Sequence, residues 1–185
     1  QAQQFLQKRI DEMAEFDAAR PPSLAAAVSK AISPVPTRIG LPEKPDCIGY
    51  PSREFAYRNA QGDLLFLVRR YDAPDGRKKI LPWTYRVPLA SSGDLSAASP
   101  QGAWETRAPD KPWPLFGLDR LASNPGARVL LAEGEKAAEA AGRMWEGVGM
   151  TTLNGARAVK HADLAPLWGR DIIILPDNDL AGRHY

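Results

Sequence analysis

A chain of 185 residues, 44% hydrophobic and 25% charged, has the balance of a folded protein, with length for one domain plus an extension or for two small domains. Its single cysteine, Cys47, excludes an intrachain disulfide and a multi-cysteine zinc ribbon, and no apolar stretch approaches the roughly 20 residues of a membrane span. The net charge of +2 is unevenly spread: eight Arg/Lys stand against four Asp/Glu from Arg53 to Arg86, and seven against eight from Ala127 to Tyr185. A basic middle attracts a polyanion, and a mildly acidic end suits a cation.

Phe5, Leu6, Ile10, Met13 and Phe16 recur at helical spacing, so an amphipathic helix is predicted to open the chain. Pro21 and Pro22 end it, and a second, alanine-rich helix is expected over Leu24 to Ile32 behind Ser23 as a cap. Prolines at 34, 36, 42, 45 and 51 mark the next stretch as a linker or an irregular wrapping segment.

Strand signals follow. Phe55 and Tyr57 alternate with polar residues, Leu64 to Tyr71 is an apolar run, and Ile80 to Val87 carries Trp83 and Tyr85. Turn residues at 59–63 and 73–76 separate them, which predicts a three-stranded antiparallel meander. Ser91 to Pro100 reads as a loop, and Leu115-Phe116-Gly117-Leu118 leads into a short helix ending at Ala122.

The pattern changes at Pro125-Gly126. Arg128 to Ala132 is a short apolar strand, Glu135 to Trp145 a helix, Val148 to Leu153 a second strand and Lys160 to Trp168 a second helix. Asp171 to Leu175 is the clearest buried strand of the chain. Alternating strands and helices predict a doubly wound parallel α/β sheet.

Three polar clusters come directly after those strands: Glu133-Gly134-Glu135-Lys136, Asn154-Gly155-Ala156, and Pro176-Asp177-Asn178-Asp179-Leu180-Ala181-Gly182. Ligands of open α/β sheets bind outside the carboxyl ends of the strands, where helix N-termini point. Glu133, Asp177 and Asp179 would converge there if the first and third strands are neighbours. Carboxylate oxygens suit Mg²⁺ or Mn²⁺, and glycines let backbone approach a phosphate. Lys136, Asn154, Gly155 and Lys160 are candidates for nucleotide contact, with a solvated lysine and a plain strand-to-helix turn as the competing readings.

The first and third clusters with their strands, Leu130-Leu131-Ala132-Glu133-Gly134-Glu135-Lys136-Ala137-Ala138 and Ile174-Leu175-Pro176-Asp177-Asn178-Asp179-Leu180-Ala181-Gly182, resemble the two signature motifs of the Toprim domain. The wording is that of phage, plasmid and mobile-element primases and primase–helicases, and the resemblance covers about residues 112–185. It implies a Rossmann-like Toprim sheet, here truncated at its C-terminus. It also implies Glu133 as general base in nucleotide addition and Asp177 and Asp179 as metal ligands, Glu133 completing the metal set. Lys136 departs from the replicative primases, which carry an acidic residue there.

In the basic stretch, Arg69, Arg70, Arg77, Lys78, Lys79 and Arg86 are interleaved with Tyr71, Trp83 and Tyr85. Cations for phosphates and aromatic faces for bases are how single-stranded nucleic acid is held without sequence readout. Solvated hairpin tips and a core tryptophan are the bland alternative.

The expected organisation is a helical and proline-rich extension over 1–52, a β-rich basic subdomain over 53–122 and an incomplete Toprim domain over 123–185. The expected activity is primase-like, metal-dependent nucleotidyl transfer from nucleoside triphosphates on a single-stranded DNA template, alongside a fused or separate helicase. A Toprim nuclease and a non-catalytic nucleic-acid or nucleotide-binding module are the alternatives. A cytoplasmic piece of a longer replication protein is expected, since no signal-peptide pattern opens the chain, it begins at Gln1 and it stops at Tyr185 as a new helix is predicted.

Overall fold

A computed structural model describes residues 29–88 and 102–178. The chain divides into two units, 1–30 with 88–99, and 31–87 with 100–185. The predicted amphipathic helix, the loop over 91–100 and Asp179 lie outside the described residues. The helix expected over Leu24 to Ile32 is not found in its described part, where Ser29–Ala31 (β1) is a strand. Pro34, close behind, has no N–H to continue a helix, and the Ile32 N–H donates to the Tyr85 carbonyl instead.

In the second unit, β2 (Arg53–Arg58), β3 (Leu64–Asp72) and β4 (Lys78–Pro88) pair as an antiparallel meander. The turns form where short polar side chains bond their own backbone. Asn59 accepts the N–H groups of Gln61 and Asp63 at 3.0 and 2.8 Å, and Asp75 accepts that of Arg77 at 3.0 Å. A short strand that the sequence pattern did not signal, Ala103–Glu105 (β5), pairs with the end of β4.

After α1 (Leu118–Ser123), the chain runs through β6 (Val129–Ala132), α2 (Glu135–Met144), β7 (Val148–Met150) and β8 (Ile172–Leu175). The three strands form a separate parallel sheet in the order β7-β6-β8, so the first and third strands are neighbours. α2 lies close on β7 because Gly149 has no side chain: a Cβ there would sit 1.8 Å from the Ala138 carbonyl oxygen. The helix expected over Lys160 to Trp168 is instead two 3₁₀ turns, Ala156–His161 and Ala165–Leu167. Asp163 breaks the run by accepting the Ala165 N–H at 3.0 Å, and Pro166 has no N–H to extend it.

Strand β8 also departs from the sequence expectation. Ile172, Ile173 and Ile174 are exposed: helix α2 packs on β7 and β6, while β8 has its main contacts, among the described elements, with β6 alone.

Phe55, Tyr57, Phe66 and Val68 of the meander share one hydrophobic core with Trp113, Phe116, Ala132, Ala138 and Leu153. The Tyr57 and Phe66 rings stack at 4.3 Å, and Phe55 meets Phe116 edge-on at 6.0 Å. The boundary expected at 122/123 therefore falls inside a continuous core. Leu115, Leu121, Val129, Val148, Met150 and Leu167 form a second cluster. Among the described residues no helix is long and apolar enough to cross a membrane.

Candidate functional site

Parallel pairing sends the chain out of β6, β7 and β8 at the same edge of the sheet. The last ladder pair of β6 and β8 is Ala132 with Leu175, so Glu133 and the segment from Pro176 leave side by side. The Asp177 N–H donates to Oε2 of Glu133 at 3.1 Å. From β7, the chain turns through Asn154 and Gly155, both with φ near +60°. Gly155 lies against Glu133: a Cβ there would be 2.8 Å from its carbonyl oxygen and 3.3 Å from its Cγ. The Thr152 hydroxyl closes this turn by donating to the Gly155 carbonyl at 3.3 Å. All three strand-end clusters meet at Glu133.

Glu133 is half-buried, while Asp177, Asn154, Lys136 and Lys160 are exposed. Lys136 lies near enough to Asp72 for its charge to help hold that carboxyl below its ordinary range, after hydrogen bonds from Ser52 and Arg70. Lys160 sits by His161, which partial desolvation, then the charges of Lys111 and Lys160, hold below the usual imidazole value. Among the described residues no three His, Cys, Asp or Glu side chains are gathered as a metal cage. Cavities of about 300 Å³ beside Arg120 and Arg143, and about 440 Å³ beside Trp83 and Trp104, lie elsewhere; neither is lined by Glu133 or Asp177.

Glu135 is the residue that sequence reasoning left without a role. It is only 6% exposed, and the Tyr57 hydroxyl donates to its Oε1 at 2.8 Å. Burial pushes its carboxyl up, opposed by its own backbone N–H and by Tyr57, with Glu139 adding to the rise. The signal was present in the helical period: Glu135 shares the buried face of α2 with Ala138 and Ala141, three and six residues on.

The basic stretch divides. Arg69, Arg86 and Trp83 are buried and cannot form part of a surface track, which corrects the sequence expectation for these three. Arg69 is 0% exposed. Its guanidinium donates to Glu54 and Asp46, each at 2.8 Å, and to the carbonyls of Pro42 and Glu43 at 2.6 and 3.0 Å. It also lies over the Trp83 ring at 5.0 Å. Arg86 faces Glu105 and Asp110 at 3.9 and 3.8 Å. The cause is that β3 is covered on both faces. Phe66 and Val68 enter the shared core, and Arg69 and Tyr71 are roofed by the proline-rich segment around Pro42 to Asp46. Arg70 pairs with Asp72 at 2.8 Å, and Arg77 with Asp75 at 2.7 Å. Lys78 and Lys79 are exposed.

No protein-family model, curated protein or solved structure matches this chain.

Proposed function

We propose that the carboxyl edge of β6, β7 and β8 is a Toprim-type site for divalent-metal phosphoryl transfer, serving primase-like nucleotidyl transfer on single-stranded DNA. The observation that carries the reading is the convergence on Glu133, which accepts from Asp177 across the sheet while Gly155 packs on its backbone. The motif resemblance of both strand ends points the same way. Exposed Asp177 supplies oxygen donors at a solvent-facing edge, which suits a hard cation that keeps waters and leans on substrate phosphates, and the sequence carries a second aspartate, Asp179, two residues on. Mg²⁺ or Mn²⁺ held by Asp177 and Asp179 would neutralise triphosphate charge there. Glu133, half-buried and bonded to the Asp177 N–H, would take the proton from a 3′-hydroxyl as its oxygen bonds the α-phosphorus and pyrophosphate leaves. On this reading Lys136 and the Asn154-Gly155 turn, which follow the ends of β6 and β7, would contact the nucleotide phosphates. Orientation and charge supply most of the rate in such a site.

Two measurements test the reading. The first is Mn²⁺ titration by calorimetry, with and without a nucleoside triphosphate. Weak binding alone and tighter binding with nucleotide are expected, both lost in Asp177→Asn/Asp179→Asn. The second is primer synthesis from labelled nucleotides on an unstructured single strand, lost in Glu133→Gln. Cleavage of the strand without synthesis assigns the site to a nuclease. Nucleotide binding with neither activity assigns it to a binding module. An unchanged isotherm in the double asparagine variant removes the metal from the site altogether.

A further inference from the structure

The alternation of β2 sends Phe55 and Tyr57 into the shared core, where Tyr57 is fully buried. Its ring is stacked on Phe66 and lies 5.3 Å from Phe116, so the direction of its hydroxyl is fixed by packing. That hydroxyl donates to Glu135 Oε1 at 2.8 Å. Glu135 is the first residue of α2, and Gly134 alone separates it from Glu133. The anchor and the strand-end carboxylate are thus joined by one short piece of backbone.

Packing alone does not call for this arrangement. The same face of α2 is otherwise filled by Ala138 and Ala141, and a phenylalanine ring would occupy nearly the volume of Tyr57. Burying a carboxyl is costly unless it is hydrogen-bonded, and here the bond comes from the opposite sheet. Arg53, also on β2, faces Glu139 on α2 at 4.0 Å, so a second polar link runs in the same direction.

We infer that Tyr57 is a positioning residue of the strand-end site: through Glu135 it fixes the first turn of α2, and with it the Glu133 carboxylate against Asp177. This rests on the reading of that edge as a metal and phosphate site, which it deepens by making the meander part of the site's support. Partners bonded directly to a metal ligand shift metal affinity by about tenfold or more when removed, which sets the upper scale for Tyr57 acting through Glu135.

The test uses the full chain and Mn²⁺, with free Mn²⁺ read by electron paramagnetic resonance and the folded fraction read by circular dichroism on the same samples. Tyr57→Phe removes one oxygen from the core and is expected to weaken Mn²⁺ binding by roughly tenfold while the protein remains folded. Glu135→Gln keeps an acceptor for the Tyr57 hydroxyl and is expected to retain wild-type affinity. In the nucleotidyl-transfer assay, Tyr57→Phe lowers kcat more than it raises KM, because the catalytic carboxylate is misplaced while nucleotide contacts persist. Unchanged Mn²⁺ affinity in Tyr57→Phe overturns the inference. Equal losses in Tyr57→Phe and Glu135→Gln also overturn it, since a variant that keeps the acceptor would then behave like one that lacks the donor. Asp177→Asn/Asp179→Asn separates this from the underlying reading. If that variant binds Mn²⁺ like wild type, the site itself is wrong. If it loses Mn²⁺ while Tyr57→Phe does not, only the positioning role fails.

Discussion

Glu133 holds the backbone of Asp177: its carboxylate accepts the Asp177 N–H at 3.1 Å across a sequence separation of 44 residues. The bond lies just past the Ala132–Leu175 pair, so it follows from the register of β6 on β8. It ties the acidic segment after β8 to the acidic segment after β6. Anything that displaces Glu133 is therefore expected to displace Asp177 with it.

Gly155 gives the sharpest way to do so. Its φ of +64° with ψ of −153° is a conformation essentially confined to glycine, and an alanine Cβ would press on the Glu133 carbonyl at 2.8 Å. Gly155→Ala is expected to cost about 1–3 kcal/mol of stability in urea unfolding. It should also weaken Mn²⁺ binding in the folded protein. Native Mn²⁺ affinity in a destabilised variant would mean that the turn after β7 is independent of the site.

Arg69 is a structural cation, and its loss should be felt in the fold. Arg69→Met takes the guanidinium away from the Asp46 and Glu54 carboxylates, at 5% and 17% side-chain exposure, and leaves them Tyr71 and Lys44 as side-chain partners. Removing one member of a buried pair costs about 3–5 kcal/mol. Urea unfolding of the variant measures this. A loss under about 1 kcal/mol would place the pair with exposed ion pairs.

The same cluster predicts a response to alkali. Burial, then the bond to the Asp46 carboxylate and its charge, raise the Tyr71 hydroxyl from 10.0 to about 12. The unfolded chain therefore releases this proton before the folded one does. Tyr71 contributes stability that is complete below pH 10 and is lost as pH rises through about 12. Tyr71→Phe should flatten the fall in unfolding free energy across that window relative to wild type. Parallel curves for the two proteins would refute the shift.

Much of this architecture is legible in the chain itself. The Asn59 and Asp75 turns and the alternation of β2 specify the meander, because local polar bonds and period-two burial are both encoded within a few residues. The strand-end clusters are legible as well, but the adjacency of β6 and β8, which brings Glu133 to Asp177, is left conditional by the sequence and is supplied by the pairing register. Two features depend on distant segments and could not be read locally. Arg69 looks like a surface cation until the proline-rich segment is seen to roof it, supplying the Pro42 and Glu43 carbonyls. Ile172 to Ile174 look like a buried strand, since composition records hydrophobicity but not which neighbours cover it. Glu135 falls between these cases: its place on the alanine face of α2 is periodic, yet its partner Tyr57 lies 78 residues away.

With Arg69 and Arg86 buried, contact between the meander and a phosphate backbone falls to the exposed tip. Arg77 there is engaged by Asp75, and Arg70 by Asp72, which leaves Lys78 and Lys79 as the exposed cations at the start of β4. A lysine on a phosphate releases counterions, so the logarithm of the affinity falls with the logarithm of salt by roughly 0.7 per contact on a single strand. Lys78→Ala/Lys79→Ala should therefore reduce the salt slope by about one unit and weaken binding at low salt without regard to sequence. Mn²⁺ binding should be unaffected, since both lysines lie on β4 and the carboxylates on the edge of the parallel sheet. Fluorescence anisotropy with an unstructured oligonucleotide at several salt concentrations measures the slope. The same slope and affinity in the double variant would make these lysines ordinary solvated charge, and the strand's path would then move to Arg157 and Lys160.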